Sequence, residues 1–350
     1  MNSTATSHEN AGKWWISLAS LLLVCSLLVG VMIGPAGPAW WRVPLELINR
    51  LPFFSIHSGL TDTDWSIVWQ IRAPRVVLAA LVGSTLSIAG ASYQGVFRNP
   101  LVDPYLLGVA AGAGLGATIV ITVNRSGTST WWIDPLPLAA FVGGLIAVLA
   151  TYVVGTTGKG ERSSTSLVLS GVAVTSLATA AQTFLLQRNS DVVRQVYSWI
   201  LGRLSSATWG DVRLVIPYVV LSTIALLLHR RLLDVLRVGD DEASALGVNV
   251  SRVRLVVVIA ATLGTASVVA VSGLIGFVGI IVPHAVRLIV GTSYRVVLPV
   301  SLLFGGAFLI LADIPGRVLD NPAETPIGVV TAFLGAPFFL LILRARKTAQ

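Results

Sequence analysis

Residues 255–286 read LVVVIAATLGTASVVAVSGLIGFVGIIVPHAV, and the division of this stretch decides the fold. It runs for 32 residues without an Asp, Glu, Lys or Arg. As one α-helix it would be about 48 Å long, against a hydrocarbon core of roughly 30 Å. It also contains Gly273, Gly276, Gly279 and Pro283, residue types that interrupt helices. The stretch is therefore expected to hold two crossings, a seventh span and a broken eighth. Irregular backbone inside a membrane is tolerated only when it is buried in protein or lines a cavity. These four residues are accordingly expected buried in protein or facing a cavity.

Outward from it, charged residues mark the other spans. A first span is expected over 14–33, ended by Pro35, Gly37 and Pro38. Residues 36–71 carry Trp40, Trp41, Trp65 and Trp69 and read as an interfacial segment. Charge-free stretches between 75 and 98, 103 and 125, 134 and 159, and 162 and 188 give spans two to five. Span six is expected over 214–228, span nine over 296–312 and span ten over 325–343. Lys13 near one end and Arg344, Arg346 and Lys347 near the other suggest two cytoplasmic termini. Both termini on one side require an even number of spans, and dividing 255–286 supplies it. The fold class expected is all-α, a polytopic membrane protein of about ten transmembrane helices.

Composition agrees. Of 350 residues 54% are hydrophobic and 11% charged, where a soluble domain carries about 25% charged residues. The mean hydropathy is +0.81. The net charge of +8 comes mostly from arginines scattered at span ends, which does not suggest a nucleic-acid partner. The single cysteine, Cys25, excludes an intrachain disulfide. Residues 1–350 read as a single transmembrane domain with no soluble domain.

The segment LLDVLRVGDDEASALGVNV (232–250) breaks the apolar pattern with five charges: Asp234, Arg237, Asp240, Asp241 and Glu242. Two very short helices are expected, joined at Gly239. Asp240 would cap the second, with Asp241 and Glu242 in its first turn, where acids favour the helix dipole. Gly247 fits the residue after its C-terminus. The bland reading is an ordinary ordered loop; the sharper one is a surface made to touch another protein.

Several kinds of chemistry are missing. GTTGKG (155–160) has two residues between its glycines where a phosphate loop has four, and Gly160 where Ser or Thr would hold magnesium. GAGLG (112–116) lacks dinucleotide-binding spacing; Gly108, Gly112 and Gly116, four apart, suit close helix packing. His284 is a lone histidine, more readily hydrogen-bonded near a helix end than a metal ligand. No hydrolytic acid pair, catalytic residue, metal site or cofactor is expected. Acids deep within spans, usual in ion-coupled carriers and pumps, are absent from this reading, with Asp313 at a span end as the nearest case. Energy for any transport would come from elsewhere.

Five strings together carry a resemblance: residues 72–113 (RAPRVVLAALVGSTLSIAGASYQGVFRNPLVDPYLLGVAAGA), 232–254 (LLDVLRVGDDEASALGVNVSRVR), 273–291 (GLIGFVGIIVPHAVRLIVG), 311–317 (LADIPGR) and 324–340 (ETPIGVVTAFLGAPFFL). The chain beyond residue 65 resembles the membrane permeases of the iron-siderophore, haem and vitamin B12 ABC importers (type II importers). The resemblance implies that family's ten-span permease fold and a second permease subunit, identical or paralogous. It also implies two partner ATPase subunits and an extracytoplasmic substrate-binding protein. It identifies 232–250 with the family's ATPase-coupling helices: Arg237, Gly239, Asp240, Asp241, Glu242, Ala245, Leu246 and Gly247. The family most often has Gly-Asp-Glu where this chain has Gly239-Asp240-Asp241-Glu242. Arg72, Arg75 and Arg317 match arginines that dock the binding protein, which their outer position supports. Arg98, Asn99 and Pro100 match a cytoplasmic turn. Ser164 and Thr165 match the inner gate of the pathway, and Gly273, Gly276, Gly279 and Pro283 would flank that pathway. The expected function is import of an iron chelate through a plasma (inner) membrane, ferric siderophore first and haem or vitamin B12 next. The chain itself would be no enzyme. The alternative is an ion-coupled secondary carrier.

Overall fold

The protein is described from a computed structural model covering residues 2–35, 37–50, 58–124, 134–156, 164–319 and 323–347. Every regular element in these residues is helical: α1 (Asn2–Met32), α2 (Arg42–Asn49), α3 (Asp62–Ile67), α4 (Ala73–Val96), α5 (Val109–Val123), α6 (Pro135–Thr156) and α7 (Ser164–Arg188). There follow α8 (Val193–Ile200), α9 (Trp209–Leu236), α10 (Asp240–Ala245), α11 (Val250–Ser272), α12 (Val278–Val290), α13 (Tyr294–Val318) and α14 (Ile327–Lys347). Seven apolar segments among the described residues are long enough to cross a membrane, and α5, α12 and the first part of α14 are shorter apolar helices. These ten segments occur in the order expected from the sequence.

The 32-residue apolar stretch divides as anticipated, but the break lies elsewhere. Helix α11 ends at Ser272, residues 273–277 are irregular, and α12 runs unbroken through Pro283. Proline removes one N–H from its helix. Here Gly279, four residues earlier, gives its carbonyl to Gln94 Nε2 at 3.1 Å instead. A buried side chain on α4 thus replaces the lost backbone bond, and α12 survives.

Two other expectations are corrected. Helix α9 continues to Leu236, so the first of the two short helices expected over 232–250 is the end of α9. Span two starts within the segment read as interfacial. Helix α3 begins at Asp62, behind a Thr61–Asp64 capping box, and runs through a π-helical turn, Val68–Arg72, into α4. Pro74 explains the turn. It has no N–H for the preceding carbonyls, and Ala73 N–H bonds back five residues to Val68 O. The aromatic belt is present beside this turn: Trp65 and Trp69 stack at 5.9 Å, and Trp209 Nε1 donates to Trp69 O.

Helices α4 and α11 are the most enclosed of the long spans and α1 the least. Small residues set the centre. A Cβ on Gly90 would lie 2.0 Å from Gly279 O, and one on Gly83 would lie 2.2 Å from Gly305 O. The backbones of α12 and α13 therefore touch α4 directly. The packing expected of the glycine repeat is also found. Gly112 and Gly116 face the carbonyls of Gly143 and Ala139 on α6, while Gly108 opens α5 with a φ of +87°.

Candidate functional site

The charged segment after α9 forms a capped knob. Gly239, with a φ of +140°, occupies the cap position expected for Asp240, and Asp240, Asp241 and Glu242 together fill the first turn of α10. A non-glycine residue is disfavoured at that φ. At the other end Gly247, at φ +81°, donates to Ser244 O, and Val248 donates to Ala243 O. This pair of bonds closes the helix by the glycine motif read from the sequence.

The knob is anchored from below and bare above. Ala243 is fully buried and packs in the same core as Leu233, Leu236 and Val250. Asp240 pairs with Arg254 of α11 at 3.1 Å and with Arg98 at 3.3 Å. Arg237 donates to Thr292 O and Oγ1 at 2.9 and 3.0 Å, joining α9 to the α12–α13 turn. Asp241, Glu242 and Ala245 are exposed, and so are two large apolar residues, Val238 (61%) and Leu246 (70%). Exposed leucine and valine rimmed by acids, on a turn held rigidly from three sides, form a surface suited to a protein partner.

Arg98, Asn99 and Pro100 form the expected turn. Arg98 adopts a φ of +50°, and Asn99 Oδ1 accepts from Leu101 N at 2.9 Å. The sequence reading missed what Arg98 does there, which is to hold Asp240. It also missed Arg254 and Thr292, and the bonds that Asp234 receives from Ser293 Oγ and Tyr294 N. A separation of 14 or more residues hides most of these pairings; only the three-residue spacing of Asp234 and Arg237 was visible.

Arg72, Arg75 and Arg317, expected at the outer face, come together, but as buried groups. Arg75 Nε and Nη2 grip Asp313 at 2.8 and 2.9 Å, while its Nη1 meets Glu324 at 2.8 Å. Arg317 Nε lies 3.1 Å from Asp313, and its Nη1 donates to Gly30 O and Ile33 O. Arg72 donates to Val31 O and Met32 O. Together Arg72 and Arg317 satisfy the last carbonyls of α1, which have no partner within their own helix. Asp313, expected at a span end, is buried inside α13. All three arginines are at least nine-tenths covered, so the exposed ion-pairing groups expected at this face are internal ones here. Glu324, at 31% side-chain exposure, is the accessible member of the cluster.

The residues expected along the pathway separate. Gly273, at φ +71°, meets Trp199 O, and Gly279 packs on Pro104, with Pro283 buried in α12. Only Gly276 faces open space. The break itself is stitched by Tyr105, whose hydroxyl donates to Ile275 O at 3.0 Å and accepts from Ile275 N at 3.2 Å. Ser164 and Thr165 begin α7; Thr165 is exposed, and the Ser164 side chain lies outside the described residues.

A family model described as the FecCD transport family matches residues 21–345. The chain belongs to the FecCD transport family. Among its curated relatives is a cobalamin import system permease protein of Halobacterium salinarum, 39% identical over 95% of this chain and 96% of the relative. A hemin transport system permease protein of Yersinia pestis is 37% identical over 83% and 87%. A solved structure, a metal-chelate type ABC transporter in an inward-facing conformation, superposes with a TM-score of 0.79 at 27% identity, covering 95% of this chain and 99% of that one. As a FecCD protein the chain is an ABC permease, a multi-pass membrane protein of the iron-chelate, haem and cobalamin transport group.

Proposed function

We propose that the chain is the permease subunit of a binding-protein-dependent ABC importer that carries an iron chelate, a ferric siderophore before haem or cobalamin, into the cytoplasm. Two copies, or this chain and a paralogue, enclose the path in a plasma membrane with all termini cytoplasmic, and two partner ATPases drive it. The α10 knob is the observation that carries this reading. A partner's rigid-body movement passes into a permease only through a surface that does not itself yield. Asp240 and Arg237 provide that stiffness, and Asp241, Glu242 and Leu246 provide the exposed face.

At the outer face the buried cluster holds three arginines against Asp313 and Glu324, a surplus of one positive charge. That surplus suits an acidic binding protein, with Glu324 as the carboxylate a partner's acid would displace from Arg75.

Uptake of an iron-55 siderophore by cells carrying Asp241→Lys with Glu242→Lys tests the reading. Uptake is expected to fall to background while the chain stays folded in the membrane. Undiminished uptake overturns it.

A further inference from the structure

At the inner end of α4 a cavity of about 310 Å³ is lined by Arg98, Arg237 and Arg287, with Asn99, Thr292 and Tyr294 completing its polar wall. Among the described residues no carboxylate lines it. Asp234 and Asp240 stand beside it, 3.9 Å from Arg237 and 3.3 Å from Arg98, and each has further partners. Asp234 receives Ser293 Oγ and Tyr294 N, and Asp240 receives Arg254. Counting Arg254 and Arg295, which reach the same two acids, five guanidinium groups face two carboxylates. Arg287 is the centre of the site. Its Nη2 is held by Gln94 Oε1, and its Cζ lies 5.9 Å from the Tyr294 ring centroid. Its Nη1 is buried and makes no hydrogen bond of ordinary length among the described residues, and the Tyr294 hydroxyl is the polar group beside the guanidinium. A guanidinium held only by a neutral amide and a phenol, with no carboxylate in its pocket wall, calls for an anion.

The surroundings identify which anion. On the last turn of α12, Leu288 (73%) and Ile289 (53%) are exposed immediately after Arg287. The helical turn that carries the pocket's central arginine thus also exposes apolar side chains that acyl chains could cover. We propose that this pocket binds the phosphate group of an anionic phospholipid of the cytoplasmic leaflet. Basic pockets between helices at that level recognise such headgroups. Bound there, the phosphate would bridge α4, α9 and α12 directly behind the coupling knob, because Arg98 and Arg237 belong to both. The cytoplasmic placement rests on the permease reading; the phosphate chemistry rests on the pocket alone.

The test uses the full-length purified chain in mild detergent and native mass spectrometry. The probes are phosphatidylglycerol, phosphatidylcholine and inorganic phosphate, compared in wild type, Arg98→Gln and Arg287→Gln. Wild type is expected to retain one phosphatidylglycerol and no phosphatidylcholine. Each arginine removed should weaken retention about fivefold. Arg98→Gln guards against misfolding, because Arg98 is nearly half exposed. Equal retention in the variants overturns the proposal, as does displacement of the lipid by millimolar phosphate. Loss of an ATPase partner from the variants with lipid retention unchanged also overturns it, since the pocket would then belong to that protein. Failure of the wild type to recover any ATPase would sink the permease reading while leaving the lipid measurement intact.

Discussion

The two ends of α4 carry the same kinds of side chain in opposite settings. At one end Arg75 is clamped on Asp313 and Glu324 with its neighbours Arg72 and Arg317, all of them buried. At the other, Arg98 pairs with an Asp240 that is 41% exposed, under a knob whose upper face is bare. Removing one partner from a buried pair leaves a charge that water cannot reach, whereas an exposed pair gains little and loses little. The Arg75 cluster should therefore govern whether the bundle holds together, and the Arg98 end what the bundle touches.

The largest expected effect is at Asp313. Asp313→Ala leaves Arg75 and Arg317 without their shared carboxylate and should cost about 3–5 kcal/mol, read as lost thermal stability in detergent. Stability near wild type would mean that the Arg75 cluster is open to water and resembles the Arg98 end. Next is Gly90→Ala, which drives a methyl group against the Gly279 carbonyl. Overpacking of that kind costs about 1–3 kcal/mol, measured by the same unfolding curve. Asp240→Asn should cost less, about 1 kcal/mol, since Asp240 and Arg98 are more than 40% exposed and only Arg254 beneath them is buried. A loss comparable to that of Asp313→Ala would erase the contrast between the two ends.

A smaller effect is expected with pH, at Glu46 in the interfacial helix α2. The Ser58 hydroxyl donates to its carboxylate at 2.5 Å and, with Arg50 and Asn49 and against some desolvation, holds its pKa below the usual 4.5. A depressed acid stabilises the fold above its unfolded pKa, and that contribution fades as pH falls through the folded value. Ser58→Ala should lower stability at pH 7 and flatten its decline below about pH 4.5, in thermal melts taken across that range.

The sequence made the span order visible because charge is excluded from lipid and glycine and proline punctuate helices. It made α10 visible because Gly239, the three acids and Gly247 are local signals. It did not show the burial of Arg72, Arg75 and Arg317. The acids that hold Arg75 lie about 240 residues away and the carbonyls that Arg72 and Arg317 bind lie at least 40 away, contacts that leave no periodic trace; only the four-residue spacing of Asp313 and Arg317 is local. Pro283 misled for a similar reason: its helix is completed by Gln94 from another span.

The central claim is that the face of α10 is for contact and not for stability. Co-purification of the tagged chain from its native membrane in mild detergent, with Asp241→Lys and Glu242→Lys beside wild type, tests it most directly. Wild type should bring down a stoichiometric ATPase, and the double variant should lose it while its stability falls by no more than the roughly 1–2 kcal/mol expected of two reversed charges in the first turn of a helix. An ATPase that remains bound to the double variant, or a wild-type chain recovered without one, would contradict the claim.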